Sequence, residues 1–303
     1  MFQLIILNLL FASTFTLAKD AVLHTPPLLF IGIRMILAGL LFLSFLRFYK
    51  KESCAIAPTD RIWFAAITLF HIYISFCGEF IGMQYLTSAK VSLIFNLSPF
   101  ITALFAYLFF KEVLTIKKTV GLIIGFCAFL PLLEEAAPLS ESMGINFLGI
   151  SGAELSILVA VISSCIGWTI MKKLTTERAY SYIFVNGVAM FFGGILTLIT
   201  SSIFEQWPAL SPLISSWGFW RPMLLLILIA NIICYNLYAH LLRKYSPTIL
   251  SFFACMIPLF GAFLGWLVFN EQVSKNFFIT LILVAIGLYL YYQEELRQGY
   301  IKH

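Results

Sequence analysis

Charge is what this sequence has least of. Lysine, arginine, aspartate and glutamate make up 11% of its 303 residues, where an ordinary soluble domain carries about 25%. A water-soluble globule of this length is therefore excluded. The short signatures of common chemistry are missing as well. There is no glycine-rich nucleotide loop, no His-Glu-x-x-His pair and no cluster of aspartates, so enzymes built on those devices are not supported. The six cysteines (Cys54, Cys77, Cys127, Cys165, Cys234 and Cys255) show neither metal nor redox spacing, and five lie inside apolar runs. Packing is their expected role, and neither a metal nor a cofactor is expected. No low-complexity linker appears. The net charge of +5 is no nucleic-acid signal either, because the basic residues are confined to short links.

What fills the chain is apolar residues, 61% of the total, with a mean hydropathy of +0.97. A membrane-spanning helix needs roughly 20 apolar residues for about 30 Å of hydrocarbon. Ten such runs can be counted, with soft edges: 2–19, 27–46, 62–83, 90–110, 118–133, 150–171, 181–203, 222–242, 247–269 and 276–293. The expectation is an all-α integral membrane protein in a lipid bilayer. Met1 to Ala18 lacks the basic start of a secretory signal and reads as the first span. If the N-terminus is cytoplasmic, fourteen basic residues fall on the inner side and five on the outer side or outer span ends. That places both termini in the cytoplasm, as in a bacterial inner membrane. The outer segment Glu134 to Gly149 is acidic, as this assignment allows.

The chain also says one stretch twice. Ser92, Asn96, Pro99, Ala103, Ala106 and Glu112 recur as Ser251, Cys255, Pro258, Ala262, Gly265 and Glu271, each 159 residues later. The spacing of the first five is 4, 3, 4 and 3, one small or polar face of a helix with a proline halfway. Such a face lines a cavity or packs closely on a neighbour. Pro99 and Pro258 should bend their helices, and Gly261-x-x-x-Gly265 should allow close approach. Five spans per copy is an odd number, so the second copy must be inverted relative to the first, an architecture of transporters.

Polar residues inside the runs are candidates for a site. Arg34 lies about two turns into the second run. In the third, His71, Ser75, Gly78, Glu79 and Gly82 share a helical face. A carboxylate there must be protonated, solvated by a cavity, or paired. Arg34 is the natural partner, and a structural ion pair competes with a substrate or proton site. For His71, an interhelical hydrogen bond competes with ligand contact. Asn231, Tyr235 and Tyr238 form another polar face, which with Asn96 completes a lining of amide, phenol, imidazole and carboxylate groups. Glu112 and Glu271 each follow a helix and precede a good N-cap, Thr115 or Ser274. There a carboxylate is favoured by free N–H groups and the helix dipole, as a clasp or hinge more than as a substrate ligand.

The segment Gly82-Met-Gln-Tyr-Leu-Thr-Ser-Ala-Lys-Val-Ser-Leu-Ile-Phe-Asn-Leu-Ser-Pro99 through Phe110-Lys-Glu112-Val-Leu-Thr115 resembles the first repeat of EamA-type carriers of the drug/metabolite transporter superfamily. Tyr238-Ala-His-Leu-Leu-Arg-Lys-Tyr-Ser-Pro-Thr through Pro258 and Glu271-Gln-Val-Ser274 resembles the second. The resemblance implies ten transmembrane helices in two inverted five-helix repeats, residues 1–135 and 150–293, followed by a cytoplasmic tail at 294–303. It departs at Phe11-Ala12, where the family often has Trp-Gly. The glycines of the last helix of each repeat stand as Gly121 and Gly125 but only as Gly287 in the second copy.

Together these features favour a secondary transporter, not an enzyme. It would move a small amphiphilic metabolite by alternating access: an amino acid, an amine, or an adenosyl compound such as S-adenosylmethionine, whose carriers occur in the resembled superfamily. The expected lining is Arg34, His71, Glu79, Asn96, Asn231, Tyr235 and Tyr238, with Pro99, Pro258, Glu112 and Glu271 at hinges or gates. A coupling proton or an exchanged second substrate fits this scheme, as does a monomer or a homodimer. A lipid-modifying membrane enzyme and a channel-like permease are the competing classes. The abundant aromatic residues, 31 Phe, 13 Tyr and 6 Trp, suit an amphiphile but equally suit lipid contact.

Overall fold

The computed structural model describes residues 2–22, 25–50, 55–86, 91, 94–128, 146–147, 150–207, 216–261, 263 and 275–299. Cys54, Lys90, Ser92, most of the acidic outer segment, Ala262, Gly265, Glu271 and Ser274 lie outside them. Helices dominate in chain order: α1 (Phe2–Val22), α2 (Pro27–Ser44, continued by a wide π turn to Lys50) and α3 (Pro58–Met83). Then come α4 (Ser98–Phe110), α5 (Ile116–Cys127), α6 (Gly152–Thr176) and α7 (Tyr182–Phe204). The last are α8 (Trp217–Leu241), α9 (Pro247–Ala254) and α10 (Lys275–Arg297). A two-residue hairpin, Asn146–Phe147 against Ile150–Ser151, precedes α6. Six of these helices are long and apolar enough to cross a membrane. Their outer faces leave Leu40, Leu41, Phe192 and Ile282 exposed, and the shorter α4 leaves Leu104 and Leu108 exposed, as a helix in lipid requires.

Local chemistry sets the ends. Pro27 and Pro247 sit in first turns, where a missing N–H costs nothing. Ser151 and Glu154 form a capping box that starts α6. The Thr115 hydroxyl accepts from the Lys118 N–H at 3.4 Å and starts α5. Lys111 closes α4 in the left-handed conformation, φ 57°, which a glycine would adopt at less cost.

Packing follows a regular pattern. α2 lies along α7, α5 along α10, α4 against α9, α3 against α6, and α1 against α8. Exchanging each helix with the one five places later turns this set of pairs into itself. The tightest joints are glycine contacts. A Cβ on Gly39 would sit 2.5 Å from the Phe191 backbone nitrogen. A Cβ on Gly121 would sit 2.8 Å from the Gly287 carbonyl, and one on Gly287 2.6 Å from that of Gly121.

The 159-residue offset reappears in the backbone. α3 and α8 begin at Pro58 and Trp217, and each has a wide π segment starting at Thr68 and Ile227; both differences are 159. Likewise, the helical backbone breaks into a turn at Asn96–Leu97 and again at Cys255–Met256, just ahead of Pro99 and Pro258. One expectation changes. α10 continues past residue 293 to Arg297, with Glu294 and Glu295 buried. Gly261 is exposed, with nothing among the described residues within 4 Å of where its Cβ would be; the rest of its expected close-approach motif, Gly265 included, lies outside the described residues.

Candidate functional site

The π segments of α3 and α8 deliver part of the site. A π turn widens the helix and re-aims the side chains after it, and such segments cluster at functional positions. That of α3 carries His71, and that of α8 carries Asn231 and Tyr235. Around them, four helices contribute an aromatic group. The His71 ring meets Trp168 of α6 edge-on at 4.3 Å and Tyr235 at 5.4 Å. Trp168 stacks on Tyr238 at 3.9 Å with 27° between planes. Phe76 stacks on Tyr235 at 6.4 Å, and Phe11 of α1 touches both tyrosines edge-on at 6.2 and 6.5 Å. Arg34 of α2 joins through its guanidinium carbon, 5.2 Å from the centre of the Phe76 ring.

This is where the expected Arg34–Glu79 pair differs. Among the described residues no ion pair joins them, although Arg34, Glu79 and Tyr235 lie close enough to interact electrostatically. Arg34 instead takes the face of Phe76, one turn along α3 from Glu79, a cation–π contact strengthened by burial. Arg34 is 3% exposed and its Nε has no hydrogen-bond partner among the described residues. Glu79 is half-buried.

His71 is 1% exposed, and both of its ring nitrogens lack partners among the described residues. Of the two roles open to it, the interhelical hydrogen bond is not made there. Gly167 permits its position: a Cβ there would fall 2.4 Å from the His71 Cβ. Asn231 is fully buried, with Nδ2 against the sulfurs of Met35 (3.3 Å) and Met190 (3.6 Å) and Oδ1 unpaired. Buried polar groups without partners are uncommon, and among the described residues Arg34, His71 and Asn231 are three that fall on the helices of this site. Asn96 sits elsewhere, at the break in α4, buried with Nδ2 unpartnered. No hydrogen bond or ring contact among the described residues joins it to the cluster.

Trp168, Phe11 and Phe76 were not singled out by sequence as lining. One signal was available: the 159 offset lays Tyr235 over Phe76 and Tyr238 over Glu79. Trp168 had only its neighbour Gly167 to mark it.

At one end of the helices lies an ionic network. Lys172 of α6 donates to Glu112 at 3.1 Å, and its ammonium also lies over Phe110. Lys118 of α5 pairs with Glu295 of α10, both buried, with Tyr291 beneath the ammonium. Burial pushes the Glu112 carboxyl above the usual carboxylate range, and Lys172 opposes that shift. The clasp partner of Glu112 is thus a lysine 60 residues away. At the start of α2, Glu205 accepts from the Leu28 and Leu29 N–H groups, both at 2.9 Å, and from the Ser201 hydroxyl at 2.7 Å. It closes the α2 N-terminus from the far end of α7.

The sequence pattern of the EamA-like transporter family matches residues 1–133 and 151–293. An S-adenosylmethionine/S-adenosylhomocysteine transporter of Chlamydia muridarum is 35% identical, over 98% of this chain and 93% of that protein. One of Chlamydia trachomatis serovar D is 34% identical, over 98% and 90%. A crystal structure 16% identical in sequence superposes with a TM-score of 0.71 over 97% of each chain.

Proposed function

Since the chain belongs to the EamA-like transporter family, we propose that it carries S-adenosylmethionine and S-adenosylhomocysteine across a bacterial membrane by alternating access. The chain is an integral membrane transporter and not an enzyme. The observation that carries the substrate reading is the pair of opposite charges, Arg34 and Glu79, which form no ion pair among the described residues, with Arg34 on the aromatic group. An amino-acid head is itself a carboxylate and an ammonium. Arg34 would take the first and Glu79 the second, each recovering the partner that the free protein does not supply. The aromatic group would hold the adenosyl part. The names of the two chlamydial relatives support the same class.

Alternating access rests on two repeats, 1–135 and 150–293, inverted about the site. The self-mapping helix pairs and the shared 159 offset support that arrangement, and the basic links support cytoplasmic termini. Pro99 and Pro258, at the matching breaks in α4 and α9, would serve as hinges. Glu112 with Lys172 would close the cytoplasmic side, and Glu271 would hold the equivalent place outside. Exchange of one adenosyl compound for the other needs no coupling ion.

The test is uptake of labelled S-adenosylmethionine by purified protein in sealed vesicles. It should be saturable, and stimulated by S-adenosylhomocysteine loaded inside. Glu79→Gln should abolish uptake while leaving folded protein. Vesicles that accumulate free amino acids or amines but not the adenosyl compound would overturn the substrate reading. An active Glu79→Gln/Arg34→Gln double variant would reduce the two charges to a structural role.

A further inference from the structure

The two adenosyl compounds differ in the charge on sulfur, so a carrier of both must hold what they share. One shared part is a purine base with an exocyclic amine. Resting on the substrate reading above, we infer that Trp168 is the platform on which that base stacks, with Tyr238 occupying the platform in the free protein and His71 reading the base edge.

Three observations carry this. First, Tyr238 lies on Trp168 at 3.9 Å and 27°, the arrangement a purine would make with an indole. A tyrosine ring in that place keeps the platform dry without substrate and leaves when a larger aromatic face arrives. Second, His71 meets the edge of the same indole at 4.3 Å and is 1% exposed, with neither nitrogen satisfied among the described residues. A neutral imidazole carries one acceptor nitrogen, which can take an N–H of the adenine amine, a donor that a carbonyl in its place does not offer. Third, Gly167 is what admits His71 to the indole: a Cβ there would lie 2.4 Å from the His71 Cβ and 2.7 Å from its Nδ1. A side chain at 167 would push the imidazole away from this place. From Glu79 to His71 is eight residues of α3, at most about 12 Å at the α-helical rise of 1.5 Å per residue and less through the π segment, which leaves room for a ribose between the amino-acid head and the base.

The measurement is a ratio. Competition against S-adenosylmethionine uptake is compared for S-adenosylhomocysteine and its inosyl analogue, in which the amine is replaced by a carbonyl. The wild type should prefer the adenosyl compound by about tenfold, the worth of one hydrogen bond. His71→Phe should bring the ratio to near one while still transporting both, and Trp168→Leu should weaken both equally. A wild type that fails to distinguish the two analogues overturns the inference even if neither variant folds. So does a folded His71→Phe that keeps the wild-type preference. If neither analogue competes and S-adenosylmethionine itself is not taken up, the substrate reading falls first. Uptake with no preference refutes the base-reading role alone.

Discussion

Glu295→Gln should be far more damaging than a loss of one charge at a helix end suggests. The Lys118 and Glu295 side chains are 2% and 0% exposed, so the glutamine removes the charge that Glu295 sets against a buried ammonium. Breaking such a pair costs roughly 3–5 kcal/mol. The face of Tyr291, 5.2 Å from the ammonium, stays in place and offers up to about 2 kcal/mol of cation–π attraction when desolvated. The lower end, about 3 kcal/mol, is therefore expected, roughly a hundredfold in the folded ratio. Thermal unfolding in detergent, followed by size-exclusion of the surviving folded fraction, reads this directly. Lys118→Met/Glu295→Leu should recover most of the loss, because two well-packed apolar groups replace a buried pair at little cost. Glu112→Gln, whose partner Lys172 is 17% exposed, should cost less than half as much. A Glu295→Gln protein as stable as the parent would refute the reasoning, and so would a double variant no better than the single one.

Lys111→Gly should stabilise by about 1 kcal/mol, since a left-handed residue costs roughly 1–2 kcal/mol when it has a Cβ; an unchanged or lower melting temperature would count against it. Gly39→Ala should prevent folding, because its Cβ would meet backbone rather than a movable side chain, whereas Gly218→Ala, at an exposed position, should be silent. Pro99→Ala and Pro258→Ala should slow exchange with little loss of folded protein, and wild-type exchange rates in both would remove the hinge role. For Glu112, the folded pKa lies above that of an unfolded carboxyl, so its contribution to stability is fullest at low pH and is lost as pH rises through the raised value. Glu112→Gln should abolish that slope in a melting-temperature series, and a variant that keeps it would disprove the assignment.

The fold was largely open to reading because its apolar runs are long and its second half echoes the first at a constant offset. The prolines showed where α4 and α9 would break, since a missing N–H acts on its own turn. The π segments left no such trace. Over seven or nine largely apolar residues, a wide turn and an ordinary one carry the same pattern of hydrophobes. In the site, Arg34, His71, Glu79, Tyr235 and Tyr238 were legible as polar groups that lipid would not tolerate. Trp168 was not, because a tryptophan in a membrane helix needs no special reason. The Arg34–Glu79 pair was expected from depth alone, and depth says nothing of the Phe76 face that the guanidinium takes. Glu205 was out of reach for another reason: its partners, Leu28 and Leu29, lie 177 and 176 residues earlier.

The joint between α5 and α10, where Gly121 and Gly287 admit each other's carbonyls and Lys118 meets Glu295, sets a timetable for the newborn chain. Its two sides are made 177 residues apart. At about 5–20 residues per second, α5 waits in the bilayer for roughly 9 to 35 s before its counterpart exists. Throughout that interval a lysine and a bare glycine groove mark the unfinished protein, and both vanish only when the last helix docks. A ribosome that stops short of Glu295 releases a chain still carrying both marks, so the final helix certifies the first half as well as completing the second.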